Sequence, residues 1–473
     1  MEFHAIILCG DGKALSPFSA TRSTGSPKAL LPIANKPMLS YVLDWCEKAF
    51  FPRVTVVVGT DAESDIQNAV DQYKADKVKE NQDKDASDDG TGHSTAIEVY
   101  GFDAENSGQI IYQLYKSNAW KPYQNFVILP CDLVTNLPPQ VLIEAYRSKD
   151  ESDLGLIVHY RNQLDIEDKK SKIFDKNYTI YGDVSDGGRK FLDIYSKEDI
   201  DFHKALKIRT QMCWRYPQAT ISTKLLNSCV FFGSEQIFKV FEDNPDKFSE
   251  SYFKNRSVTK VVRDLARRSW RHSENKESIA FLVVPHQATF FRSCNLPVLM
   301  EANRHFMKIQ ATEKGQTGFA GPKDKTAANV GIDSLIGDNT LLGERTNVKK
   351  TVVGSRCNIG KRVKLTGCLV MNNVTIEDDV QLENCIIGNN VLIHSKCKLT
   401  NCNVESTNEV ARGTQAKGDT LLRFSLEGLV EGEGDESAIG SSSDEDDSED
   451  DSESDFSDYE DEYANNDDGL FGY

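Results

Sequence analysis

A glycine-containing turn near residue 10 carries the residue types that phosphate binding requires. The apolar run Phe3–Leu8 ends shortly before Gly10, Asp11 and Gly12, and Lys28 follows farther along the chain. Glycines at the carboxyl end of a buried strand let backbone N–H groups approach phosphate oxygens, and a lysine can meet their charge. This pattern predicts a nucleotide-binding site at the end of the first strand.

Asp132 is a further candidate, because it directly follows the apolar stretch 126–131. A carboxylate in this position can bind Mg²⁺ if another carboxylate faces it. The stretch expected to supply that partner, 257–262, contains no acidic residue. Two interpretations remain, a metal ligand and a strand-end aspartate that caps a turn, and we prefer the second.

The cysteines and histidines form no recognisable metal motif. No two of Cys385, Cys397 and Cys402 have the Cys-x-x-Cys spacing of a zinc site, and the eight histidines show no HExxH spacing. The eleven cysteines are scattered, odd in number and mostly within apolar strings, which is typical of buried thiols in a cytosolic protein. We therefore expect neither a metal nor another cofactor.

Short apolar runs and an amphipathic segment predict the elements that position these residues. Phe3–Leu8 and 54–58 read as buried parallel strands, and 38–50 has helical spacing with Pro37 just ahead of it. This βαβ unit predicts a doubly wound α/β domain over residues 1–300, interrupted by a mobile polar loop at 74–92. Further strands are expected at 126–129, 153–160, 191–195, 230–233 and 279–284, with a helix at 140–147.

The apolar period changes to six beyond a connector at 301–329, which has a possible helix at its start. One inward aliphatic residue per short strand is typical of a parallel β-helix, which we predict for 330–410. Chance recurrence in a glycine-containing loop region is the less favoured alternative. The aliphatic positions are Val330, Ile336, Leu342, Val348, Val353, Ile359, Leu365, Met371, Ile376, Leu382, Ile387, Ile393 and Leu399.

The chain ends in an acidic segment, 428–473, that we predict to be disordered. Residues 431–473 hold 19 acids and no base, so the remaining chain carries a formal charge of 55 − (73 − 19) = +1. Aromatic residues interleave with the acids, which suits either a solvating tail, the preferred interpretation, or docking on a basic, partly apolar partner. They are Phe456, Tyr459, Tyr463, Phe471 and Tyr473.

Composition also limits the class of protein. Nucleic acid as a direct ligand is disfavoured, because the body of the chain has no basic surplus to replace phosphate counterions. No apolar stretch reaches the roughly 18 residues that a membrane span requires, and the first residues lack the basic region of a secretory signal. We expect a cytosolic protein without membrane contact.

The turn, the segment Ser26-Pro27-Lys28 and the hexapeptides together resemble the sugar-nucleotide pyrophosphorylase family over about residues 1–410. That family joins an N-terminal nucleotidyltransferase domain to a left-handed β-helix. Its phosphate loop reads Leu-Ala-Gly-Gly-x-Gly-Thr-Arg-Leu, whereas this chain has Asp11 at the second glycine and Lys13-Ala14 in place of Thr-Arg. Its Pro-Lys-Pro segment is Pro27-Lys28-Ala29 here.

These departures remove charge compensation where the family's reaction needs it. The missing arginine helps to hold the reacting triphosphate in the working enzymes, and losing one such donor typically costs about 2.7–4 kcal/mol. Lys13 does not reproduce a guanidinium fork, and Asp11 adds a negative charge. The resemblance therefore implies no catalytic residue and a vestigial nucleotide site made of Gly10, Asp11, Gly12, Lys28 and Asp132.

Within this superfamily, the chain resembles the subunits of eukaryotic translation initiation factor 2B. The stretch 371–377, Asn35-Lys36-Pro37 and 408–410 carry that resemblance. It implies a non-catalytic subunit of a guanine-nucleotide exchange factor that pairs with the epsilon subunit and the other subunits, with initiation factor 2 as the GTPase client. We do not expect the chain to be epsilon, since no room for a C-terminal helical domain follows its β-helix. The alternatives are a working sugar-nucleotide pyrophosphorylase and, less favoured, an acyltransferase.

Overall fold

The computed structural model describes residues 2–84, 95–117, 124–164, 173–174, 177–183, 188–272, 276–316 and 328–423. The predicted acidic tail, 428–473, lies outside the described residues. An α/β domain forms the first part of the chain and a parallel β-helix the second, as the sequence predicts. In the described ranges, no helix combines the length and the hydropathy needed to cross a bilayer.

The strands of the α/β domain alternate with helices along the chain. The strands are β1 (Phe3–Leu8), β2 (Pro32–Ile33), β3 (Lys36–Pro37), β4 (Arg53–Val58), β5 (Ala96–Gly101), β6 (Asn125–Pro130), β7 (Leu133–Thr135), β8 (Asp153–Arg161), β9 (Asn177–Asp183), β10 (Arg189–Ser196), β11 (Ala219–Ser222), β12 (Leu225–Ser234), β13 (Ser278–Val283) and β14 (Phe290–Arg292). The helices are α1 (Met38–Lys48), α2 (Glu63–Lys84), α3 (Gly108–Ser117), α4 (Pro139–Arg147), α5 (Lys197–His203), α6 (Thr210–Arg215), α7 (Gln236–Asp243), α8 (Glu250–Lys254), α9 (Val258–Arg271) and α10 (Leu296–Gln316).

A ten-stranded mixed sheet organises this domain, with the strand order β11-β9-β10-β13-β8-β12-β6-β1-β4-β5. Strand β1 lies in parallel between β4 and β6, so the turn after β1 emerges at the carboxyl ends of three neighbouring strands. Apolar clusters cover both faces of the sheet. The predicted strands at 126–129, 153–160, 191–195, 230–233 and 279–284 and the helices at 38–50 and 140–147 are confirmed to within a few residues.

The mobile loop predicted at 74–92 is wrong for its first half, because residues up to 84 continue helix α2. The remainder of that stretch lies outside the described residues. Contacts with α1 explain the helix: the Tyr73 hydroxyl donates to Asp44 at 2.8 Å, and Lys77 Nζ lies 2.8 Å from Asp44 and 3.3 Å from Glu47. A polar sequence therefore folds as a helix where a neighbouring helix supplies the partners.

The connector predicted at 301–329 begins as the greater part of α10, which runs from Leu296 to Gln316. Its buried residues Val298, Leu299 and Ala302 join the core of the α/β domain. The helix expected at the start of the connector is therefore present, and it begins five residues earlier than the connector itself.

The β-helix consists of short strands stacked into three parallel sheets. Residues paired across neighbouring coils are mostly 17 apart, as for Val353 with Val370, so two steps of six and one of five complete a coil. The strands are β15 (Asn329–Val330), β16 (Leu335–Ile336), β17 (Leu341–Leu342), β18 (Asn347–Lys349), β19 (Val352–Val353), β20 (Asn358–Ile359), β21 (Lys364–Thr366), β22 (Leu369–Val370), β23 (Thr375–Ile376), β24 (Gln381–Glu383), β25 (Ile386–Ile387), β26 (Leu392–Ile393), β27 (Lys398–Thr400), β28 (Asn403–Val404), β29 (Glu409–Val410), β30 (Gln415–Lys417) and β31 (Thr420–Leu421).

One position of the predicted aliphatic series is wrong by a single residue. Val370, rather than Met371, stacks between Val353 and Ile387 inside the coils. Met371 is equally buried, but it packs in the core cluster that also contains the α/β domain. Both neighbours are apolar, and each serves a different core.

The outward-facing strip of the β-helix that contains Met371 joins the two parts of the molecule. Val352, Leu369, Met371 and Ile386 belong to one continuous apolar cluster with the helices and strands of the α/β domain. The β-helix is therefore packed against the α/β domain through buried apolar side chains, and the two do not merely share a linker.

Candidate functional site

The turn after β1 approaches Lys28 closely. Gly12 has φ of 76°, and a Cβ at this position would lie 3.0 Å from Lys28 Cβ. Gly10 and Asp11 are exposed, and no atom would meet a Cβ at Gly10 within 4 Å. The structure therefore brings Gly10, Asp11, Gly12 and Lys28 into one region at the end of the first strand.

Lys28 points into the protein from a short helical turn, Lys28–Leu30. Its side chain is 11% exposed, and its Nζ lies 2.7 Å from Oδ2 of Asp132, whose side chain is fully buried. Burial alone would lower the pKa of Lys28, but the charge of Asp132, the neighbouring Cys131 and the hydrogen bond to Asp132 together raise that pKa. The lysine expected to meet a ligand phosphate is thus engaged by a carboxylate of the same chain.

Asp132 also forms a two-pronged ion pair with Arg292. Nε of Arg292 donates to Oδ1 at 2.9 Å, and its second terminal nitrogen donates to Oδ2 at 3.1 Å. Burial would raise the pKa of Asp132, but the charges of Arg292 and Lys28 override it and hold that pKa below its usual range. Paired N–H donors of this kind are the strongest arrangement for a carboxylate.

Local strand pairing explains why Arg292 reaches Asp132. Arg292 ends β14, which pairs antiparallel with β7, the strand that begins one residue after Asp132. The backbone N–H of Ser293 donates to the carbonyl oxygen of Asp132 at 3.0 Å, which fixes the two segments together. The remaining terminal nitrogen of Arg292 lies 2.9 Å from Sγ of Cys229.

The stretch expected to face Asp132, 257–262, lies elsewhere. It begins helix α9, and its Val258, Val261 and Val262 pack in the second apolar cluster of the α/β domain. Sequence reasoning missed Arg292, because only the pairing of β14 with β7 brings it to the site. The one available signal was a cation at the end of the apolar run 290–291.

This charge arrangement does not fit a divalent metal ion. Both oxygens of Asp132 already accept hydrogen bonds from cations, and the group that faces the carboxylate is a guanidinium. Within the described ranges, no group of three or more His, Cys, Asp or Glu side chains is arranged to hold a metal. One carboxylate between two cations leaves a local charge of +1.

The eleven cysteines all lie in the described residues and are free thiols, seven of them buried. Cys9 and Cys131 follow the paired ends of β1 and β6, beside Lys28 and Asp132. The hydrogen bond with Cys131 and burial raise the pKa of the Cys9 thiol, which keeps it protonated. Cys9 therefore adds no negative charge to the site.

The loop that joins the glycine turn to Lys28 contacts the β-helix. Arg22 Nε and the Thr24 hydroxyl donate to Oε1 of Glu405 at 2.6 and 2.7 Å, and the Glu405 side chain is 1% exposed. Gly25 allows this loop to close, because a Cβ there would lie 1.7 Å from the carbonyl oxygen of Ser19. The candidate site and the β-helix are therefore connected through one short loop.

Comparison with known families agrees with the two parts of the fold. Residues 5–164 match a family model described as a MobA-like NTP transferase domain. Residues 323–415 match one described as the EIF2B subunit epsilon LbH domain. The nucleotidyltransferase-like domain followed by a left-handed β-helix is thus confirmed.

Two curated relatives extend the likeness beyond single domains. The chain is 25% identical over 372 residues to the translation initiation factor eIF2B subunit gamma of Schizosaccharomyces pombe, across 74% of each chain. It is 24% identical over 262 residues to the protein of the same name from Dictyostelium discoideum, across 52% of this chain and 54% of that relative. The resemblance to the subunits of this initiation factor is confirmed, and among the subunits it points to gamma.

Proposed function

We propose that this chain, a homologue of eIF2B gamma subunits, is a non-catalytic subunit of the guanine-nucleotide exchange factor that acts on translation initiation factor 2. In this proposal it pairs with the epsilon subunit and the other subunits of initiation factor 2B in the cytosol, and initiation factor 2 is the GTPase client. Similarity to gamma subunits along 74% of the chain supports membership of the complex. The ion pairs of Asp132 support the absence of catalysis.

The site geometry opposes nucleotidyl transfer on physical grounds. Mg²⁺ binds proteins through carboxylate and other oxygen ligands and keeps near-ideal octahedral geometry. Both oxygens of Asp132 are engaged, and displacing Lys28 and Arg292 from it would leave two largely buried cations without their partner. We infer that Gly10, Asp11, Gly12, Lys28 and Asp132 form a vestigial nucleotide site whose remaining role is structural.

An exchange factor acts by binding the nucleotide-free state of its GTPase more tightly than the nucleotide-bound state. A subunit can contribute to this without chemistry of its own if it presents rigid surfaces. The buried apolar contact between the α/β domain and the β-helix gives this chain such rigidity.

Partner capture and nucleotide exchange test the proposal directly. Co-expressed with an epsilon subunit, the tagged full-length chain should recover it in a stable complex. That complex should accelerate release of fluorescent GDP from initiation factor 2, whereas the chain alone should leave the spontaneous rate unchanged. Recovery of the chain only as a solitary homo-oligomer would contradict the assignment.

The alternative activity, a sugar-nucleotide pyrophosphorylase, has its own assay. The purified chain incubated with GTP, mannose 1-phosphate and Mg²⁺ should release no pyrophosphate above a protein-free blank, because Asp132 is held by Lys28 and Arg292. A working enzyme of that family serves as the positive control. Turnover comparable to the control would favour the enzyme over the scaffold.

A further inference from the structure

An exposed surface at one edge of the large sheet combines apolar and basic side chains. It is formed by the end of α5, by α6 and by β11, and we name residues 202–224 the edge surface. Phe202, Trp214 and Ile221 are 69%, 78% and 41% exposed. The three elements are neighbours, because Met212 of α6 and Ala219 of β11 pack in one apolar cluster with Tyr195, whose hydroxyl donates to the carbonyl oxygen of Lys207 just after α5. Large exposed apolar side chains in one region of the surface mark interaction sites more often than isolated ones do.

The charge of the edge surface has one sign. Residues 202–224 contain five lysines and arginines and no aspartate or glutamate. Lys204, Lys207 and Lys224 are exposed. The Arg215 guanidinium donates to the carbonyl oxygens of Ser269 and His272 at 2.7 and 3.0 Å, which anchors α6 to the end of α9. Residues 202–224 are therefore net basic and fixed to the domain, and the exposed acids Glu198 and Asp201 of α5 precede them.

Strand β11 lies at the edge of the sheet and pairs only with β9 among the described residues. An edge strand has backbone N–H and C=O groups that can pair with a further extended segment. The edge surface thus offers backbone pairing, apolar contact and positive charge at one place.

The acidic tail of the same chain has the complementary properties. Residues 444–463 contain 13 acids and no base, together with Phe456, Tyr459 and Tyr463. We propose that residues 444–463 dock on the edge surface of their own chain. Acidic side chains meet Lys204, Lys207 and Lys224, while tail aromatic rings cover exposed apolar side chains such as Trp214. Acidic partners of the edge surface must then displace the tail.

The chain between the two segments is long enough. The backbone N–H of Arg423 donates to Glu405 at 2.6 Å, and Glu405 accepts from Arg22, so Arg423 lies near the loop that follows β1. Seven strand spacings separate β1 from β11, or about 34 Å along the sheet. Residues 424–443 span about 66–72 Å when fully extended, roughly twice that distance.

Carbodiimide cross-linking of the full-length chain tests this contact, since the reagent joins lysine amines to nearby carboxylates without a spacer. We expect peptides from 444–463 to be linked to Lys204, Lys207 and Lys224 in preference to exposed lysines elsewhere. A mixture of isotope-labelled and unlabelled protein distinguishes links within one chain from links between copies. Raising the salt concentration to 1 M should reduce the links, because the Debye length falls to about 3 Å.

Charge reversal supplies the matched comparison. The double variant Lys204→Glu with Lys207→Glu should reduce tail links to Lys224 at least fivefold. Lys349→Glu with Lys350→Glu in the β-helix makes the same change in net charge at two exposed lysines and should alter those links less than twofold. Circular dichroism checks that both variants fold. Iodide quenching of Trp214 gives an independent readout, since the fluorescence of the full-length chain should be quenched less than that of a chain without the tail.

Several outcomes would overturn the proposal. Links spread evenly over exposed lysines would mean that the tail has no fixed position. Links found only between isotopically distinct chains would assign the edge surface to a second copy. If the tail shows no preferential links and a single-stranded RNA binds the edge surface, that surface would be assigned to nucleic acid.

Discussion

Asp132 retains its charge in a fully buried position because two cations replace the water that burial removes. Lys28 reaches one oxygen at 2.7 Å, and Arg292 reaches both at 2.9 and 3.1 Å. An isolated carboxylate in such a place would protonate instead of remaining ionised. The side chain of Asp132, for which a turn cap was the preferred prediction and a metal ligand the alternative, is therefore the centre of a structural ion cluster.

Removing one cation should expose the cost of that burial. Arg292→Ala should lower the free energy of unfolding by roughly 3 kcal/mol, the low end for a broken buried pair, because Lys28 remains. Urea unfolding followed by circular dichroism measures it. Arg53→Ala is the control, since the Arg53 pair with Glu98 is exposed and such pairs contribute about 0–1 kcal/mol.

The same variant has a pH signature. The pKa of Asp132 is lowered from 3.8 in the folded protein, so its ion pairs stabilise the fold above that value and lose their effect as the pH falls below it. The stability difference between the native chain and Arg292→Ala should therefore be largest near neutral pH and shrink below about pH 4. A difference that stays constant to pH 2 would mean that Arg292 acts through packing alone.

At the scale of elements, continuous apolar runs made the central strands predictable. Strands such as β1, β4 and β6 are largely buried on both faces, so their sequences are mostly apolar. Helix α2 was not predictable, because its polar sequence is held by Tyr73 and Lys77 against α1. Contacts between distant segments cannot be read from local periodicity.

The inward aliphatic series of the β-helix was predictable to within one residue for the same kind of reason, but the stack continues past the predicted end at 410 through β30 and β31. A period of six identifies the inward side chains, but Val370 and Met371 are adjacent and both apolar. Only the docking of the α/β domain on one outer strip explains why Met371 is buried as well. Arg292 in the candidate site was missed for a related reason, because its partner lies 160 residues away.

Each inward position of the β-helix supports the coils above and below it. Leu382 is fully buried and pairs with Leu365 and Leu399 in the adjacent coils. Leu382→Ala should therefore cost about 2–5 kcal/mol of unfolding free energy. Ile332→Ala, at a position that is 66% exposed, should change it by no more than about 0.5 kcal/mol. Equal effects of the two substitutions would argue against a continuous ladder.

At the scale of the whole molecule, Glu405 ties the two parts together. It accepts hydrogen bonds from Arg22 and Thr24 of the α/β domain and from the backbone of Arg423 at the end of the β-helix. The apolar cluster that includes Met371 lies at the same junction. The two parts of the chain are therefore joined by both polar and apolar contacts.

Loss of Glu405 should weaken this junction. Glu405→Ala should lower stability by roughly 1.5–3 kcal/mol, the range for hydrogen bonds to a charged group, and should speed proteolytic cleavage of the loop at 19–26. Glu383→Ala is the control. The Glu383 side chain is 40% exposed and pairs with Lys364, so its loss should have little effect on either measurement. Unchanged cleavage in Glu405→Ala would show that the apolar cluster alone holds the junction.

The coil of 17 residues sets a rule for how this protein can change in length. Adding or deleting one whole coil moves the chain end by about 4.8 Å along the stack and leaves every other inward residue in register. An insertion of one residue within a strand would turn the following side chains away from the interior, whereas the first coil, in which Val330 pairs with Val348, holds an additional residue between its strands. Evolution can therefore adjust the height of the stack only in discrete increments, while exposed corner residues tolerate more gradual variation.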